Sequence, residues 1–152
     1  MTSSVNGEVF FAVDFSGEWF YNIISKDQKG VTVVEIQYVH EPTDLQCGQA
    51  VIAMLLSKPV AQVCEELGNE RETTLAEMKD AIRAGGIEFC ERRKQAFDKS
   101  ELPRIALLSL ETPRCWHWSL YCQGVFYDPE HGVMDDFPQS DRRFYWELKV
   151  KE

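Results

Sequence analysis

The stretch HEPTDLQCGQAVIAML, residues 40–55, decides the reading of this chain. Its second half is apolar almost throughout and predicts a buried helix running to about residue 57. Its first half holds Thr43 and Asp44, either of which suits a helix N-cap, and Thr43-x-x-Gln46 has the form of a capping box. With Asp44 as the cap, Cys47 is the third residue of the helix. Backbone N–H groups there lack intrahelical partners and the helix dipole is positive. Both favour a thiolate. A cysteine serving only to fill space would be expected deeper along the apolar face. Gly48, small and next to the sulfur, would let a substrate backbone come close.

Working outward, residues 9–14, 19–24 and 31–39 are rich in β-branched and aromatic residues and predict three strands. Ser16-Gly17 and Gln28-Lys29-Gly30 supply the turns between them. After the cysteine helix, Ser57 and Pro59 open a second helix that Gly68 stops. Thr74-x-x-Glu77 is another capping box, and its helix ends at Gly85-Gly86. The period then returns to two. Residues 87–89, 104–110, 117–122, 125–128 and 143–150 read as strands, with Gln123-Gly124 as a tight hairpin turn. Strands, three helices and then an antiparallel sheet make an α+β fold.

A thiolate nucleophile needs a base, and the chain has three histidines, His40, His117 and His131. His117 begins a strand in CWHWSLY, which fixes an imidazole well, and Trp116 and Trp118 flank it. One hairpin later, YDPEHG places Asp128 at the end of the neighbouring strand, within side-chain reach of His117 and expected at the surface. Cys47, His117 and Asp128 thus supply nucleophile, base and orienting acceptor. Glu130 and Asp135 are other carboxylates that could orient the imidazole. Taken singly, each residue has a plainer reading: Cys47 as a small core residue, His117 as a core histidine, Asp128-Pro129 as turn chemistry. Cys115, His117 and Cys122 could also be read as zinc ligands, but no Cys-x-x-Cys pair accompanies them.

The segments CGQAVIAML, TTLAEMKDAIRAGGI, LPRIALLSL and HWSLYCQGVFYDPEHG, in that order, resemble the papain-like cysteine peptidases of the compact bacterial type. Within these, they are most similar to the bacteriocin-processing domains that cut double-glycine leaders. The resemblance spans residues 39–137 of a single domain, 1–152, and leaves residues 1–38 as N-terminal strands of unassigned role. It implies catalysis by Cys47, His117 and Asp128 through an acyl-enzyme, on a protein or peptide substrate and with no cofactor or metal. It also implies a glutamine six residues before the nucleophile, whose amide helps hold the oxyanion. Glu41 stands there instead, and an ionised carboxylate would repel the developing charge. Gln46, His40 or Gln37 would then have to supply the missing donor, although Gln46 is equally explained by its capping pattern. Deamidation or acyl transfer on the same triad, and a non-catalytic binding module that kept the pocket, are the alternative functions.

Composition narrows the partners. The 152 residues carry a net charge of -9, so attraction to nucleic acid or an anionic membrane is not expected, and Arg92-Arg93-Lys94 reads as a solvated face. The longest apolar run is far too short to span a bilayer, and no basic residue precedes Lys26, so no secretory signal is read. Five cysteines at 47, 64, 90, 115 and 122 show no disulfide framework, which points to a reducing, cytoplasmic setting. Cys64 and Cys90 are expected to be inert. Oligomeric state is not legible.

Overall fold

The computed structural model describes residues 9–13, 19–26 and 32–150, with side chains from residue 34 onward. Three strands, β1 (Val9–Val13), β2 (Trp19–Lys26) and β3 (Thr32–Glu35), form one antiparallel sheet. The expected turns at Ser16-Gly17 and Gln28-Lys29-Gly30 lie outside the described residues. Three helices follow: α1 (Cys47–Leu56), α2 (Val60–Leu67) and α3 (Leu75–Ala84). A seven-stranded sheet completes the chain. Its strands are β4 (Ile87–Phe89), β5 (Lys94–Gln95), β6 (Ile105–Glu111), β7 (Trp116–Cys122), β8 (Val125–Asp128), β9 (Gly132–Met134) and β10 (Arg143–Val150). Their order is β4-β10-β6-β7-β8-β9, with β5 also paired to β10, and all of these pairings are antiparallel. The fold class is α+β. Because β10 lies between β4 and β6, the main sheet extends past residue 137.

All ten residues of α1 are buried, as an apolar helix enclosed on every side requires. It packs with Val63 of α2, Met78 and Ile82 of α3, and one face of the sheet that includes Ile105, Leu107, Leu120, Trp146 and Leu148. Ala106, Leu108, Leu110, Tyr121 and Phe126 on the opposite face form a second cluster. β6 is therefore covered on both sides, which explains its buried apolar run from Ile105 to Leu108. Val34 at the end of β3 joins the helix-side core, and Tyr38 packs against it.

The helix signals largely hold. Pro59 caps α2, Gly68 closes it in the left-handed region, and Thr74 and Glu77 make the reciprocal bonds of a capping box. Gln123 and Gly124 both adopt positive φ, 50° and 91°, as the tight β7–β8 hairpin demands. The start of α1 differs from expectation. Its N-cap is Gln46, with no side-chain capping bond, so Cys47 is the first helical residue. Thr43 Oγ1 accepts from Leu45 N, inside the turn that leads into the helix.

Candidate active site

Cys47 sits at the N-terminus of α1, where that end of the helix meets β7. The pairing of β7 with β8 runs from Cys122 back to Leu120 and goes no further. Beyond that point the N–H of Trp118 donates to Cys47 Sγ at 3.4 Å. The indole of Trp118 is held in turn, its Nε1 donating to the Thr73 carbonyl at 3.1 Å. Gly48 is small for a packing reason rather than for substrate access: a Cβ there would lie 2.0 Å from Thr73 Oγ1 and 2.9 Å from Met78 Sδ.

His117, the second residue of β7, is buried. Its Nε2 donates to Asp128 Oδ1 at 3.0 Å, which leaves Nδ1 as the nitrogen available to the sulfur. Glu41, Cys47 and His117 present donor atoms that all lie within 4.8 Å of one another. Burial opposes a charge on His117, but the hydrogen bond to Asp128 and the approach of Cys47 outweigh it, and its pKa is pushed up to about 10.

Asp128 is not at the surface. It is 0% exposed. Pro129, which has no N–H, follows it as β8 ends. The carboxylate divides its work. Oδ1 faces His117, while Oδ2 accepts from Glu130 N at 3.1 Å, His131 N at 3.0 Å and His131 Nδ1 at 2.8 Å. Turn chemistry and imidazole orientation are thus carried by different oxygens of one side chain. Burial alone would raise its pKa, but the bonds from His117 dominate and lower it to about 2.

The segment before α1 is fastened to this turn. Tyr38 Oη donates to the Asp128 carbonyl at 2.6 Å, and Glu41 N donates to the Pro129 carbonyl at 2.9 Å. Glu41 is 6% exposed and its Oε1 has no hydrogen-bond partner among the described residues.

The structure does not bring Gln46 or His40 into this cluster. The Gln46 amide donates to the Glu70 carbonyl at 3.0 Å and lines a separate cavity with Pro42, Val60 and Cys64. His40 and Gln37 are exposed. The zinc reading also separates: Cys115 is exposed, Cys122 is buried at the far end of β7, and neither joins His117 in a ligand group among the described residues. The approach of Cys47 to His117 is explained by a thiol meeting an imidazole, so Glu41, Cys47 and His117 are not assigned as metal ligands. Cys64 is buried and burial raises its thiol pKa, in keeping with an inert core role. No single helix among the described residues is long and apolar enough to cross a membrane.

Two participants escaped the sequence reading. His131 was visible only as a turn residue, yet its ring holds the second oxygen of Asp128. Trp118 contributes a backbone N–H, which no side-chain pattern announces. A cleft of about 550 Å³ opens over Cys47, lined by Thr73, Arg114, Trp116 and Trp118 with Asp44 and Glu72 among its carboxylates. No protein-family model matches the chain, and no curated protein matches it.

Proposed function

We propose that this chain is a papain-like thiol hydrolase that attacks an amide or thioester carbonyl of a protein or peptide. The observation that carries the reading is the placement of His117 between Cys47 and Asp128, with one ring nitrogen on the carboxylate and the other left to the sulfur. The three helices followed by the seven-stranded antiparallel sheet, with the cysteine opening the buried helix, support the same assignment. So does the cleft over the sulfur.

Each group has a chemical task. His117 accepts the thiol proton, and the thiolate adds to the carbonyl carbon. The tetrahedral intermediate collapses as His117 returns the proton to the leaving amine. A thioester acyl-enzyme remains, and water attacks it with His117 now acting as base. Asp128 holds the imidazole in the tautomer with Nε2 protonated and stabilises the imidazolium that forms. Trp118 N–H and the helix N-terminus place positive partial charge around the sulfur.

The test is alkylation by iodoacetamide followed residue by residue with peptide mass spectrometry. With His117 beside the sulfur to take its proton, Cys47 should react about 10²-fold faster than exposed Cys115. His117→Ala should bring Cys47 down to the rate of Cys115. A wild-type Cys47 no faster than Cys115 would leave a binding module rather than an enzyme.

A further inference from the structure

We propose that Glu41 works as a neutral carboxylic acid whose O–H, together with the Cys47 backbone N–H, holds the carbonyl oxygen as it becomes an oxyanion. The inference rests on the nucleophile reading above and supplies the donor that Gln46 and His40 do not.

The geometry is the main argument. A carboxyl oxygen of Glu41 lies within 4.8 Å of both the Cys47 sulfur and an imidazole nitrogen of His117, so it borders the position where an attacked carbonyl would sit. The side chain is 6% exposed and its Oε1 has no hydrogen-bond partner among the described residues, so this carboxyl holds a buried polar atom that is still free to bond a substrate. Its backbone is fixed by the bond to Pro129, one residue beyond Asp128, and Tyr38 ties the same segment to Asp128. The donor is therefore positioned before substrate arrives, which is what stabilising a transition-state charge requires. Cys47 N, the first of α1, lacks an intrahelical acceptor and supplies the other donor.

The charge on Glu41 decides the sign of its effect. Ionised, it would repel the oxyanion; neutral, it donates to it. Burial raises its pKa most. His117 on β7 opposes the rise, Glu130 and Asp128 beyond β8 add to it, and His40 beside it opposes it again. Cys47 on α1 and Tyr38 on the same segment also lie near it. The net direction is upward, toward the neutral acid. In the step itself the S–C bond forms, the carbonyl π pair moves to oxygen, and Glu41 donates a hydrogen bond while keeping its proton. When the leaving group departs, the pair returns and the C=O is restored.

The experiment separates thiolate supply from oxyanion support by using two probes. Iodoacetamide reacts by displacement at carbon and forms no oxyanion. p-Nitrophenyl acetate acylates the sulfur through a tetrahedral oxyanion. The readouts are Cys47 alkylation and p-nitrophenolate release in excess of a Cys47→Ala control, each across pH. For the wild type, the ratio of acylation to alkylation should fall as pH rises through the titration of Glu41, by about 10²–10³. In Glu41→Gln the ratio should be flat and match the wild type at low pH, because the amide donates at every pH. In Glu41→Ala it should be low throughout. Rapid alkylation with a pH-independent wild-type ratio would overturn this inference and leave the nucleophile reading standing. A Glu41→Gln profile that still falls with pH would do the same. Slow, ordinary alkylation of wild-type Cys47 would remove both together.

Discussion

Asp128 and Glu41 are both carboxyls buried at the same imidazole, and they are handled in opposite ways. Asp128 has donors on both oxygens: His117 on Oδ1, and two backbone N–H groups and the His131 ring on Oδ2. Glu41 has an oxygen with no partner among the described residues. Burial raises the pKa of each carboxyl, yet Asp128 ends at about 2 while Glu41 ends above its ordinary value. Burial therefore does not decide the charge of a carboxyl here; the supply of hydrogen-bond donors does. One carboxyl is stabilised as an anion that steadies an imidazolium. The other is biased by burial toward the neutral acid, the form that the proposed oxyanion role needs.

The largest expected effect comes from removing the anion. In Asp128→Asn the amide oxygen can still accept from Glu130 N and His131 N, so the turn and the fold should persist. The amide nitrogen then faces His117 Nε2 and favours the wrong tautomer. Acylation by p-nitrophenyl acetate should drop by about 10²–10⁴. Glu41→Gln measured at low pH should be nearly silent by contrast. Equal losses in the two variants would show that the carboxyls are not divided as the geometry indicates.

How much of this was legible beforehand depended on whether the controlling partner was local. α2, α3 and the β7–β8 hairpin were readable because Pro59, Gly68, Thr74 with Glu77, and Gln123-Gly124 act within a few residues. The start of α1 misled because Thr43 and Gln46 match a capping box in sequence, whereas Gln46 is claimed by the Glu70 carbonyl, 24 residues away. The third strand was expected to reach residue 39 but stops at Glu35, and Tyr38 bonds to the Asp128 carbonyl. β5 and β9 went unseen: they are two and three residues long, and neither has a buried side chain to set a period. Cys47, His117 and Asp128, singled out by residue type and order, do lie together in the structure. Glu41 registered only as a misfit, since its charge depends on a burial that sequence does not show.

Stability should expose the same contrast with opposite signs of pH dependence. The folded pKa of Asp128 lies below its unfolded value of 3.8, so its contribution is present above that value and is lost as pH falls toward about 2. That contribution is about 2 kcal/mol, and urea unfolding should show it as a gap between wild type and Asp128→Asn that closes in acid. Glu41 has a raised folded pKa, so the stability linked to it is present in acid and lost as pH rises through its titration. Glu41→Gln should therefore raise the melting temperature on the alkaline side and change little in acid. A gain of the same size at both ends would mean the carboxyl is ionised throughout and the pairing of opposites fails.

The smallest effect, and the sharpest probe of why Asp128 stays charged, is expected at His131. Its Nδ1 reaches Asp128 Oδ2 at 2.8 Å, but its side chain is 46% exposed and so the contact is open to competition from water. Two backbone N–H groups already serve the same oxygen, at 3.0 and 3.1 Å. Those bonds come from the turn itself and survive any side-chain replacement that keeps the turn. His131→Ala should thus remove one donor of several and leave Oδ1 on His117 undisturbed. The expected loss in acylation is under about 10-fold, consistent with an exposed pair worth at most ~1 kcal/mol. A proton NMR spectrum offers a second readout, because the His117 Nε2–H should keep its downfield position in His131→Ala and lose it in Asp128→Asn. If His131→Ala instead matched Asp128→Asn in both rate and spectrum, the backbone donors would be insufficient. The His131 ring would then be a required member of the site, making it a chain of two imidazoles joined by one carboxylate.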